Sequence, residues 1–98
     1  MEQNDQLDVY AEVLTAIVQR FLKLMGEPAL KLARRVYGLR INEDGSVISY
    51  QGDGMVAVQG LVIEYMTLIG SQAVPLTQRA IDPARQKNPN LKLPSLIK

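Results

Sequence analysis

The chain carries one pattern twice. Residues 68–79 read Leu-Ile-Gly-Ser-Gln-Ala-Val-Pro-Leu-Thr-Gln-Arg, and residues 24–35 read Leu-Met-Gly-Glu-Pro-Ala-Leu-Lys-Leu-Ala-Arg-Arg. A shift of 44 positions lays Val18, Leu24, Gly26, Ala29, Leu32 and Arg35 on Val62, Leu68, Gly70, Ala73, Leu76 and Arg79. At Ile17/Leu61, Phe21/Tyr65, Leu22/Met66, Met25/Ile69 and Leu30/Val74 the shift exchanges one apolar residue for another. This predicts two copies of a helix, a glycine break and a second helix, over about 13–37 and 57–81. Copies that offer the same apolar face are expected to pack together with internal pseudo-symmetry.

Local signals support the two units. Apolar residues recur at Leu7, Tyr10, Leu14, Ile17, Phe21 and Leu24, the period of a helix over 8–25 with Asp5 or Asp8 as its cap; residues 1–6 are expected to fray. Gly26 should end it in the left-handed conformation, and Pro28 suits the start of a second helix over 28–37 that stops at Gly38. Residues 39–50 alternate on both sides of Glu43-Asp44-Gly45, which predicts a β-hairpin with strands at 39–42 and 47–50. Asp53 is a suitable cap for a helix over 55–69. That helix is apolar nearly all round and is expected to be buried on more than one side. After Gly70, Ser71 could cap a last helix reaching 81, or 85 if Pro83 does not stop it. Residues 82–98 hold Pro83, Pro89 and Pro94, four cations and one anion, and read as an extended or disordered basic tail whose leucines could dock on the hairpin edge.

At 98 residues the chain is one domain, with a small core and much surface to cover. A net charge of +1 gives no strong global pull on nucleic acid or membrane. Cys and His are both absent, which removes the thiolate and the commonest general base and metal ligand. The polar, acidic start lacks the features of a signal peptide, and no run approaches the roughly 20 apolar residues of a membrane helix, so a cytoplasmic protein is expected.

Three constellations could carry chemistry. Glu43, Asp44 and Asp53 could cluster as carboxylates, but their context is that of turn and cap residues. Gly52-Asp53-Gly54 before a helix lacks the following Lys-Ser/Thr of a phosphate loop, and Asp53 would repel an anion. Between Arg20 and Arg40 six cations face one anion, Glu27; Lys31, Arg34, Arg35 and Arg40 are the candidate basic surface, with a solvated helix face as the plainer reading. Arg35 and Arg79 could be matching anchors for helix-end carbonyls.

The fold expected is therefore α+β and mostly helical, with two helix-Gly-helix repeats flanking a β-hairpin. Residues 1–81 form the domain and 82–98 the tail. The function expected is a non-enzymatic protein–protein interaction or oligomerisation module, with no cofactor or metal. The expected partner is a second copy, held through Val58, Leu61, Val62, Tyr65, Met66 and Ile69. A further protein partner could use the tail. The alternatives are a nucleic-acid-binding regulator using residues 20–40 and a domain with an apolar ligand pocket between the repeats.

Overall fold

A computed structural model describes residues 9–98. The proposed capping of the first helix by Asp5 or Asp8 and the fraying of residues 1–6 fall outside the described residues. The chain is mostly helical, with one antiparallel hairpin: α1 (Val9–Met25), α2 (Glu27–Ala33), β1 (Arg40–Ile41), β2 (Val47–Ser49), α3 (Gly54–Ile69) and α4 (Ala73–Lys87). Short 3₁₀ turns occupy Gly70–Gln72 and Ser95–Ile97. The radius of gyration, 12.4 Å, is close to the ~13 Å of a compact domain of this length.

α1 forms where the helical period is clearest, and its buried stripe is Val13, Leu14, Ile17, Val18 and Phe21. Gly26 ends it by donating to the Leu22 carbonyl at 2.8 Å. The Gly26 carbonyl in turn accepts from Ala29 at 2.9 Å, so one residue closes one helix and opens the next. Its φ is positive, as expected, but ψ is −147°, which is extended rather than left-handed helical. Gly70 has nearly the same conformation, φ 70° and ψ −152°, with its N–H on Met66 O. This region is open essentially to glycine alone. An extended ψ is what redirects the chain, because a new helical turn begins directly after Gly26 and at Gly70 itself.

α2 is shorter than expected and gives way to turns through Arg34–Gly38. The hairpin strands are shorter too. Its loop has Gly45 N–H on Asn42 O at 3.0 Å and Asn42 N–H on Ser46 O at 2.9 Å, the bonding of a three-residue Glu-Asp-Gly loop. The register pairs Arg40 with Ser49 and Ile41 with Val47, which leaves Ile48 as a bulge. Asp53 caps α3 as expected, its carboxylate accepting from Met55 N at 2.8 Å. Ser71 lies within the 3₁₀ turn instead of capping α4, and no side chain caps that helix.

α4 runs through Pro83 to Lys87. Pro83 forfeits one backbone bond. Its neighbours Ile81 and Ala84 are buried and hold the turn in place. The chain beyond is not a free tail. Leu93 and Ile97 join the core at 6% and 0% exposure. Tyr10 Oη donates to Lys92 O at 2.7 Å, and Gln78 Nε2 donates to Lys98 O at 3.3 Å. The receptor is α4 and the start of α1, not the hairpin edge.

α1 and α3 pack side by side. Phe21 and Tyr65 stack with ring centroids 4.1 Å apart. Near the other end, a Cβ on Gly54 would collide with Tyr10. Two such contacts, about 16 Å apart along each helix and met in the same order, mean that the helices run parallel and in step. Each of these contacts joins residues 44 positions apart. Burial repeats at the same offset. From 12–36 to 56–80 each residue matches its counterpart in burial class, except at Thr15/Gln59, Arg20/Glu64, Leu30/Val74 and Arg34/Gln78.

Candidate functional site

The six residues expected at an interface lie mostly inside the chain itself. Val58, Leu61, Val62 and Tyr65 are fully buried, and Met66 and Ile69 are partly buried against the same core. Burial pushes the Tyr65 hydroxyl far above its usual range, and that hydroxyl donates to Ala29 O at 2.9 Å. The helix is not buried all round, however. Val56, Ile63 and Leu68 are 67%, 45% and 55% exposed. α1, α2 and α4 take one face of α3 and leave the other open.

That open face is the candidate site. Val56, Gln59, Gly60, Ile63 and Thr67 fall on one stripe at helical spacing, and none of them is charged. A groove of about 350 Å³ runs beside it, lined by Arg35, Val36, Tyr37, Val56, Gly60 and Glu64 among others. The turn after α2 places Tyr37 at its edge, 88% exposed. Arg35 Nε contacts Glu64 Oε1 at 3.3 Å. That carboxylate oxygen is shielded from solvent and accepts no hydrogen bond, so the guanidinium charge is what compensates it.

The matching stripe on α1 is built differently. Its residues are Glu12, Thr15, Ala16, Gln19 and Lys23. The hairpin lies over it, with Val47 N–H on Thr15 Oγ1 at 2.8 Å and Gln19 Nε2 on Asp44 O at 3.2 Å. Glu12 pairs with Lys87 at 3.1 Å. In the sequence Gln59, Glu64 and Thr67 mark the wet side of α3, but Val56 and Ile63 on that side hide it as a site. The signal that could have found it is the contrast between the two segments, 44 positions apart, at these five positions.

Two of the four basic candidates make contacts within the chain. Arg35 is committed to Glu64, and Arg34 Nη2 reaches Ile41 O at 3.5 Å. Lys31 and Arg40 are exposed, on α2 and on β1. The anchor idea for Arg35 fails on its partner, which is a carboxylate and not a helix-end carbonyl. The position matching Glu64 is Arg20, so Arg79 has no equivalent anion. Asp44 and Asp53 hold a turn and a cap; the Ser46 hydroxyl, and after it the Ser46 backbone N–H at 2.9 Å, donate to Asp44 Oδ1 and hold that carboxyl below the usual carboxylate range.

Between α1 and α3, where an apolar ligand pocket is the alternative expectation, Phe21 and Tyr65 stack in direct contact. A cleft of about 750 Å³ lies elsewhere, between the end of α4 and the docked segment, with a mixed lining in which Asp82, Arg85 and Lys92 stand beside Met55, Leu91 and Leu93. Tyr10 is also raised, by partial burial and then by the charge of Asp53. Neither Tyr10 nor Tyr65 can therefore act as a base near pH 7.

The helical run Gly54–Lys87, 34 residues taken through the 3₁₀ turn, is long and apolar enough by length and composition to cross a membrane. It is redirected at Gly70, and a third of its most apolar stretch is buried within the chain. Comparison with family models, with curated proteins and with solved structures finds no match for this chain.

Proposed function

We propose that this chain is a non-enzymatic protein–protein interaction module built from two copies of a helix-Gly-helix unit, and that the outer face of α3 is its binding surface. The duplication is supported by the shared backbone conformation of Gly26 and Gly70 and by the recurrence of burial along the two copies. It is also supported by the self-contacts Phe21/Tyr65 and Tyr10/Gly54, since residues beside a two-fold axis meet their own equivalents.

One observation carries the choice of surface. On α1 the five positions include the charged Glu12 and Lys23, and Thr15 and Gln19 bond the hairpin; on α3 the same five are uncharged and include the exposed apolar side chains Val56 and Ile63. An exposed apolar stripe edged by a tyrosine and an arginine has the composition of a protein interface. The test is a photo-reactive amino acid at Gln59, with one at Lys31 as the control, in protein expressed in cells. Crosslinking to protein from position 59 and not from 31 supports the reading. No protein adduct from position 59 removes it.

A further inference from the structure

Building on that reading, we propose that the partner on the α3 stripe is a second copy of this chain, held in an isologous dimer whose two-fold axis passes Gly60. Three observations select this occupant. The face is uncharged, and beside it sit one cation and one anion already in contact, Arg35 and Glu64. A neutral face of this kind is matched by one like itself, whereas an acidic or basic partner would gain nothing from it.

Gly60 is the second observation. It lies inside a helix, its φ is not positive, and a Cβ there would meet only Val36 Cγ1, at an ordinary 3.6 Å. Glycine inside a helix costs stability relative to alanine. Neither backbone geometry nor packing within the chain demands it. At a two-fold axis the residue meets its own copy, and a residue without a side chain lets two helix backbones cross closely.

The third is the spacing about Gly60. Val56 stands four residues before it and Ile63 three after. A two-fold at Gly60 therefore sets Val56 of each copy beside Ile63 of the other, so both exposed apolar side chains are covered together. On the corresponding surface of α1 the hairpin bonds Thr15 and Gln19; on α3 the second copy takes that place.

Sedimentation equilibrium across the micromolar range tests the proposal with the full chain, beside Ile63→Lys, Gly60→Gln and Leu24→Lys. All three substitutions lie outside the buried core, and circular dichroism checks that each variant folds. The wild type is expected to be a dimer. Ile63→Lys and Gly60→Gln are each expected to raise the dissociation constant at least tenfold, and Leu24→Lys, at an exposed apolar residue off the stripe, to leave it unchanged. A monomeric wild type up to 100 µM overturns the proposal, as does a dimer that both stripe variants leave intact. The crosslinker at position 59 separates the two levels of the argument. An adduct of twice the chain mass supports the dimer. An adduct with a different protein overturns the dimer and leaves the interaction module standing.

Discussion

Two kinds of glycine constrain this fold at the residue scale. Gly54 is required by contact. A Cβ there would lie 2.7 Å from Tyr10 Cβ and closer still to the ring, at the rigid base of the side chain. Gly54→Ala should therefore move Tyr10 and lower stability by about 1–3 kcal/mol, the usual cost of overpacking. Urea unfolding measures this, and an unchanged midpoint would mean that α1 and α3 are not in that contact. Gly26 and Gly70 are required by backbone geometry instead, since open space surrounds the Cβ position at both. Gly26→Val and Gly70→Val should each cost about 1–3 kcal/mol, from strain alone. Similar losses at the two sites are what matching conformations imply; a loss at only one would break the equivalence.

The element that departs most from its sequence pattern is the segment after α4. Pro89, Pro94 and scattered leucines suggest nothing regular, yet Leu93 and Ile97 reach the core. Burying a side chain of this size contributes about 1.5–3 kcal/mol, part of which is offset by ordering the backbone around it. Ending the chain after Lys87 should then lower stability by about 2 kcal/mol and leave Tyr10 without its Lys92 acceptor. The midpoint of denaturant unfolding reports the loss, and trypsin should cut slowly after Lys92 in the intact chain. Fast trimming with an unchanged midpoint would show that this segment adds nothing to the fold. The hairpin is a contrasting element. Two short strands are marginal alone, and α1 supports them through Thr15 and Gln19.

At the scale of the whole molecule, the parallel pair α1 and α3 forms the spine, and α2 and α4 pack against both. Tyr65 sits at the centre of this arrangement, stacked on Phe21 and bonded to the start of α2. Its hydroxyl is raised from the ordinary value of 10.0 by burial, and Tyr10 is raised as well. A group with a folded value above its unfolded one stabilises the fold fully below the unfolded value and loses that contribution as pH rises past it. Stability should thus hold up to about pH 10 and fall above it. Tyr65→Phe should cost about 1 kcal/mol at neutral pH, from the lost hydrogen bond, and should flatten the alkaline decline. Unfolding curves from pH 8 to 12 test both; an alkaline decline equally steep in the variant would place the effect elsewhere.

Features set by near neighbours along the chain were legible from the sequence alone. The spacing of Leu14, Ile17, Phe21 and Leu24 encodes α1, Asp53 encodes the cap of α3, and Glu43-Asp44-Gly45 encodes the hairpin loop. Positive φ at Gly26 and Gly70 belongs to the same class, because local backbone freedom decides it. The tertiary structure alone decided which face of α3 turns inward. Val56 and Ile63 beside Gln59, Gly60 and Thr67 weaken the one-sidedness of the helix, and the choice falls to the helices packed against it. It likewise decided that Pro83 could stay within a helix and that the terminal segment docks. Both depend on contacts with residues distant in sequence, such as Tyr10 with Lys92, and neither propensity nor periodicity carries information over that separation.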